Sequence, residues 1–131
     1  MMREIKFRGK RVDNEEWVCG WYVGYSEAQG YIHRDYIDKD EVWSVDAKTV
    51  GQYTGLKDKN GVEIYEGDVV RHGYENHNGT FFSNYPVRYS ENDGAYMVGQ
   101  HKRLTKNTIK QWSSEVSANI HDSPELLGGA E

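Results

Sequence analysis

Cysteine occurs once in this 131-residue chain, at Cys19, so no intrachain disulfide can form and a reducing, cytoplasmic setting is the expectation. Apolar runs are only a few residues long and the mean hydropathy is -0.88. Nothing approaches the roughly 20 apolar residues that a membrane span needs, and no apolar leader segment follows Met1-Met2-Arg3-Glu4. Proline is confined to Pro86 and Pro124. Good helix formers are scarce too: Leu, Ala and Met together number 12. Nucleotide-binding and hydrolase fingerprints are missing, with no GxGxxG, no Walker loop and no GxSxG.

What the chain has instead is 35 Val, Ile, Tyr, Phe and Trp residues and 14 glycines. β-Branched and aromatic side chains fit a pleated, half-buried surface, and glycine serves tight turns. The expectation is one mostly-β domain over residues 1–131: a small SH3-like or pseudo-barrel of short antiparallel strands with a few short helical turns.

The formal net charge is -5, which disfavours capture of nucleic acid by phosphate neutralisation. The charge is uneven. Residues 1–12 carry Arg3, Lys6, Arg8, Lys10 and Arg11 against Glu4, a local +4. A basic edge strand that resists sheet-to-sheet pairing is the plain reading, and a binding strand is the sharper one.

Along the chain, Ile5 and Phe7 alternate with Lys6, Arg8 and Lys10, the pattern of a half-exposed strand over 4–12. Asp13-Asn14 turns it into a second strand, Glu16–Tyr25. Trp17, Cys19, Trp21, Val23 and Tyr25 share one face of that strand; Val18, Gly20, Tyr22 and Gly24 share the other. Both faces are apolar or small, so the strand is expected to be central and covered on both sides, with Cys19 a buried, inert thiol. Tyr31–His33 and Val42–Val45 read as strands, 34–41 as a charged loop, and Asp46 as the cap of a short helical turn through Ala47 and Lys48.

Asp58-Lys59-Asn60-Gly61 is a four-residue turn, Glu66-Gly67-Asp68 a second reversal, and Val69-Val70-Arg71 opens the next strand. A calcium loop fails on counting: with Gly61 at its sixth position, Leu56 would stand at the first and Gly67 at the twelfth, and neither supplies a side-chain ligand. Residues 72–80 are polar and glycine-rich and read as a long loop with His72 and His77 solvated. Glu91-Asn92-Asp93-Gly94 turns a later strand pair, Leu104–Trp112 holds a short helix, Glu115–Ile120 is a last strand, and Ser123-Pro124-Glu125 starts a final helical turn.

Three blocks carry a family resemblance: Met2-Arg3-Glu4-Ile5-Lys6-Phe7-Arg8-Gly9-Lys10; Val50-Gly51-Gln52-Tyr53-Thr54-Gly55-Leu56-Lys57-Asp58 through Asn60-Gly61 to Ile64-Tyr65-Glu66-Gly67-Asp68-Val69-Val70; and Asn119-Ile120-His121-Asp122 with Pro124-Glu125-Leu126-Leu127. Spaced over nearly the whole chain, they resemble the YopX family, small proteins of phages and prophages of Gram-positive bacteria. The resemblance implies a mostly-β pseudo-barrel with decorations, and self-association. It implies no established activity and offers no catalytic residue to carry over.

The functional expectation is a phage or prophage accessory protein, not an enzyme, without cofactor or metal, acting on itself or on a phage or host protein. His72 and His77 lack metal-ligand spacing, and His33-Arg34-Asp35 lacks a nucleophile motif. The alternative is a single-stranded nucleic-acid binder. Lys6, Arg8 and Lys10 would contact phosphates, and aromatics drawn from Tyr22, Tyr25, Tyr31, Tyr36, Trp43 and Tyr53 would stack on bases. Contact residues on either reading are Lys6, Arg8, Lys10, Tyr22 and Tyr53.

Overall fold

The computed structural model describes residues 5–24, 26–33, 42–99 and 102–123. Among these residues the fold is mostly β: two antiparallel sheets, one short α-helix and one 3₁₀ turn. Two compact units are distinguished, Met1–Tyr53 and Thr54–Glu131. The proposed loop 34–41 and the turn from Pro124 lie outside the described residues.

In the first unit the strands lie in the order β4-β3-β2-β1-β5: β1 Phe7–Lys10, β2 Trp17–Gly24, β3 Gln29–His33, β4 Val42–Asp46 and β5 Gly51–Lys57, which runs on into the second unit. β1 is therefore an interior strand, not an edge. It pairs with β2 (Arg8 opposite Cys19, Lys10 opposite Trp17) and with β5 (Phe7 opposite Gln52). One face of this sheet holds the core, with Ile32 and Val45 fully buried. The Tyr22 side chain reaches over Gly30, where an added Cβ would stand 2.4 Å from the ring. As read from sequence, Asp46 caps the 3₁₀ turn Ala47–Thr49, its Oδ1 accepting from the Lys48 amide at 3.0 Å.

β2 departs from expectation. Its apolar-on-both-faces pattern marks a doubly covered strand, yet Trp21 is 43% and Val23 53% exposed. Cys19 is exposed as well, not a buried thiol. The reason lies in the register: Tyr22 pairs with Ile32 and Ile32 with Trp43, so the core is filled from the Tyr22 side alone.

In the second unit the later half of β5 lies beside β6 (Glu63–Tyr65). A five-stranded sheet runs β10-β9-β8-β7-β11, with β7 Asp68–Asn76, β8 Gly79–Ser90, β9 Ala95–Val98, β10 Lys102–Arg103 and β11 Glu115–Asn119. The helix α1, Lys106–Gln111, is capped by Thr105, whose Oγ1 accepts from the Thr108 amide at 3.0 Å. Its Ile109 joins Ile64, Val70, Val87, Val98 and Leu104 in the core. Each such side chain contributes about 1.5–3 kcal/mol on burial.

Residues 72–80 are not a loop. β7 continues to Asn76, reverses over His77-Asn78 and returns as β8, in register from Asn76 opposite Gly79 to Val69 opposite Pro86. The glycine- and asparagine-rich composition hides this, because what sustains the strands is cross-strand packing, with the Tyr74 and Phe81 rings stacked at 5.5 Å. The reversal carries its own lock: Asn76 Oδ1 accepts from the Asn78 amide at 2.7 Å.

Candidate functional site

Among the described residues, exposed aromatic side chains gather on two surfaces, one in each unit, with Tyr89 exposed elsewhere on β8. On the first, strand alternation and the β1–β2–β3 register place Lys10, Arg8, Trp17, Cys19, Trp21, Val23, Tyr31 and His33 on one sheet face, opposite the core. The cations lie over rings: Arg8 Cζ is 4.7 Å and Lys10 Nζ 5.7 Å from the Trp17 centroid, and Lys6 Nζ is 5.4 Å from that of Tyr53.

Of the residues singled out from sequence, Lys6, Arg8 and Lys10 are thus brought together. Tyr53 is next to Lys6, its amide donating to the Lys6 carbonyl at 2.8 Å, but it is only 5% exposed. Tyr22 and Trp43 point to the core side, and Tyr25 and Tyr36 lie outside the described residues. Trp17 and Trp21 take their place on the face. Strict alternation from Arg8 across to Cys19 would have found them, had the covered face been known.

The second surface is the ribbon formed by the far ends of β7 and β8. Tyr74, Phe81 and Phe82 are exposed on it, Phe82 by 56%. At its root His72 is buried between Tyr85 (centroids 5.1 Å apart) and the parallel ring of Trp112 (6.2 Å). Lys102 Nζ stands 3.6 Å from the other ring centroid of this stack, that of Trp112. Burial, with the charge of Lys102 second, lowers the His72 pKa to about 4, so the imidazole is neutral at neutral pH. This overturns the reading of His72 as a solvated loop residue. The Gly73 amide donates to the Trp112 carbonyl at 2.7 Å and fastens the ribbon root to the end of α1.

On the other face of the ribbon, Arg71 Cζ lies 4.4 Å from the Phe82 centroid, and its guanidinium also donates to the Glu115 carboxylate. Burial pushes the Glu115 carboxyl up, but Arg71, Lys59 and Asn60 together outweigh it and hold the group below its ordinary range. Ser114, one step beyond the Glu115–Arg71 pair, is fully buried.

Lys10, Arg11, Lys48, Glu15, Asp46 and neighbouring residues line an open cleft of about 470 Å³ in the first unit. Its cations and carboxylates are mixed, and Arg11 is already paired with Asp13 at 2.6 Å. Among the described residues no group of three or more His, Cys, Asp and Glu is placed to hold a metal ion, and no helix is long and apolar enough to cross a membrane.

No curated protein matches this chain in sequence. Its fold is similar to that in the crystal structure of protein EF1440 from Enterococcus faecalis, at a TM-score of 0.64 and 21% identity, covering 96% of this chain and 99% of that one. The sequence matches the YopX protein family over residues 6–128, nearly its whole length, and the chain belongs to that family.

Proposed function

We propose that this YopX-family chain is a binding protein, not an enzyme, that works through contacts with protein partners, itself included, as an accessory protein of a phage or prophage. One observation carries this reading. Residues 72–86 place three exposed aromatic side chains on a projecting ribbon and hold a single formal charge, Glu75, in a chain that is 28% charged. Aromatic enrichment with charge depletion is the composition of the core of a protein interface. The side chains that invite a catalytic reading support the same view: His72 and Ser114 are closed to solvent and offer no substrate a reacting atom. Light scattering from about 1 to 100 μM, together with affinity capture on the immobilised chain, tests it. A strict monomer that captures nothing would sink the proposal.

A second reading is favoured by the first surface, where Lys6, Arg8 and Lys10 share a face with Trp17, Trp21 and Tyr31. The lysines and aromatic residues of this face form a platform for unpaired bases, with the Arg8 guanidinium, whose Nε and Nη2 are closed to solvent, packed against Trp17. It predicts binding of single-stranded oligonucleotides that weakens with salt and with Lys10→Ala. No retention at low salt would remove this reading.

A further inference from the structure

The ribbon bears on how the protein meets its own copy. β9 pairs with β8 only from Val87 to Ser90, so among the described residues no strand flanks the outer side of β8 from Gly79 to Tyr85. Which backbone groups face that side follows from the hairpin. A two-residue reversal at His77-Asn78 makes Asn76 and Gly79 a hydrogen-bonded pair, and such pairs then alternate with non-bonded ones. Thr80, Phe82, Asn84 and Pro86 occupy the non-bonded positions, so their amide and carbonyl groups point away from β7. Two independent facts agree: Pro86, which has no amide hydrogen, sits at such a position, and its carbonyl accepts from the Gly99 amide at 3.3 Å, away from β7. On β7, Gly73 likewise donates outward, to Trp112.

Natural edge strands are guarded by charge, by proline within the strand, or by a covering element. From Gly79 to Tyr85 β8 carries no charge and no proline. We propose that this edge pairs with the same edge of a second copy, antiparallel about a two-fold axis centred on Phe82. The inference rests on the reading of this chain as a protein-contact molecule and specifies its partner.

The sequence of the edge is its own complement. Two-fold pairing centred on Phe82 sets the two Phe82 residues opposite each other with reciprocal amide-to-carbonyl bonds. It sets Thr80 opposite Asn84 on both sides. Polar, uncharged residues therefore flank a central aromatic pair, and no like charges meet. The outer edge of β7 is a poorer candidate: beyond Gly73 it offers Glu75, and pairing centred there would face two carboxylates. A closed two-fold also uses up both edges, so a dimer forms and not a fibre.

Sedimentation of the full chain, 15.1 kDa as a monomer, tests this with four proteins. The wild type should approach twice that mass in the micromolar range. Thr80→Lys/Asn84→Lys and Thr80→Glu/Asn84→Glu each oppose like charges, and each should raise the dissociation constant by roughly tenfold or more. Mixed in equal amounts, the two variants should recover the dimer. Thr80→Lys/Asn84→Glu, which places Lys opposite Glu across the axis, should dimerise alone and shows that substitution at these sites leaves the chain folded.

A wild type that stays monomeric up to hundreds of micromolar overturns the proposal, while affinity capture of another protein would still uphold the broader reading. A dimer untouched by all four substitutions overturns the β8 interface but leaves self-association intact. Failure of the mixture to recover the dimer overturns the Thr80–Asn84 register.

Discussion

The carboxylate of Asp58 joins two segments 58 positions apart: its Oδ2 accepts from the Val116 amide at 2.8 Å, while Oδ1 accepts from the amides of Asn60 at 2.8 Å and Val62 at 2.9 Å. A residue that sequence reads as local turn chemistry is, in the fold, the buried tie between the turn and β11. Asp58→Ala should cost about 2–4 kcal/mol, because the loss of one carboxylate leaves several amides unpaired away from water. Asp58→Asn should cost less, since one oxygen remains an acceptor. Urea unfolding measures both; a loss below 1 kcal/mol for the alanine variant would contradict the role.

His72 gives the fold a defined pH response. Its folded pKa, about 4, lies below the ordinary 6.5, so the unfolded chain binds the proton more readily. Between those values stability rises with pH. It is complete above about 6.5, falls as the solution is acidified, and stops falling near 4, a span of up to about 3 kcal/mol. His72→Phe, which keeps a ring between Tyr85 and Trp112, should flatten that part of the stability–pH curve. An unchanged slope in the variant would assign it to other groups.

Gly30 is fixed by the ring above it. A Cβ there would stand 2.4–2.7 Å from Tyr22 atoms, so Gly30→Ala should destabilise by roughly 1–3 kcal/mol through overpacking. Tyr22→Leu in the same chain should recover part of the loss. Thermal melts of the single and double variants give the coupling, and strict additivity would show that the ring is not the obstacle.

Cys19 lies on the open face of β2, so a thiol reagent should modify it completely in the folded chain, without denaturant. Reaction that waits for unfolding would mean the face is covered in solution. The same measurement at high protein concentration reports whether any partner copy shields it.

Much of the chain was legible before its structure. Alternation located β1 and β2, Asp46 announced its 3₁₀ turn, and Asp58, Asn60 and Gly61 marked their reversal. The candidate contact residues were half legible. Lys6, Arg8 and Lys10 do gather on one face, whereas Tyr22 turns to the core, and Trp17 and Trp21 were hidden by a strand whose two faces are equally apolar. Phe81-Phe82 announced part of β8, but the β7 side of the ribbon was missed: polar, glycine-rich sequence carries the signal of a loop when the packing that stiffens it comes from Trp112, some forty residues away in sequence.

The sequence by itself determined the class of fold, the family and the places where the chain turns, because strand alternation and turn chemistry act between neighbours. Only the tertiary structure decided which face of β2 meets water, that Asp58 and Val116 are joined, that His72 is buried and neutral, and that no strand among the described residues flanks β8 from Gly79 to Tyr85. Each of those depends on what a distant segment covers, and burial is set by the three-dimensional arrangement, not by local pattern.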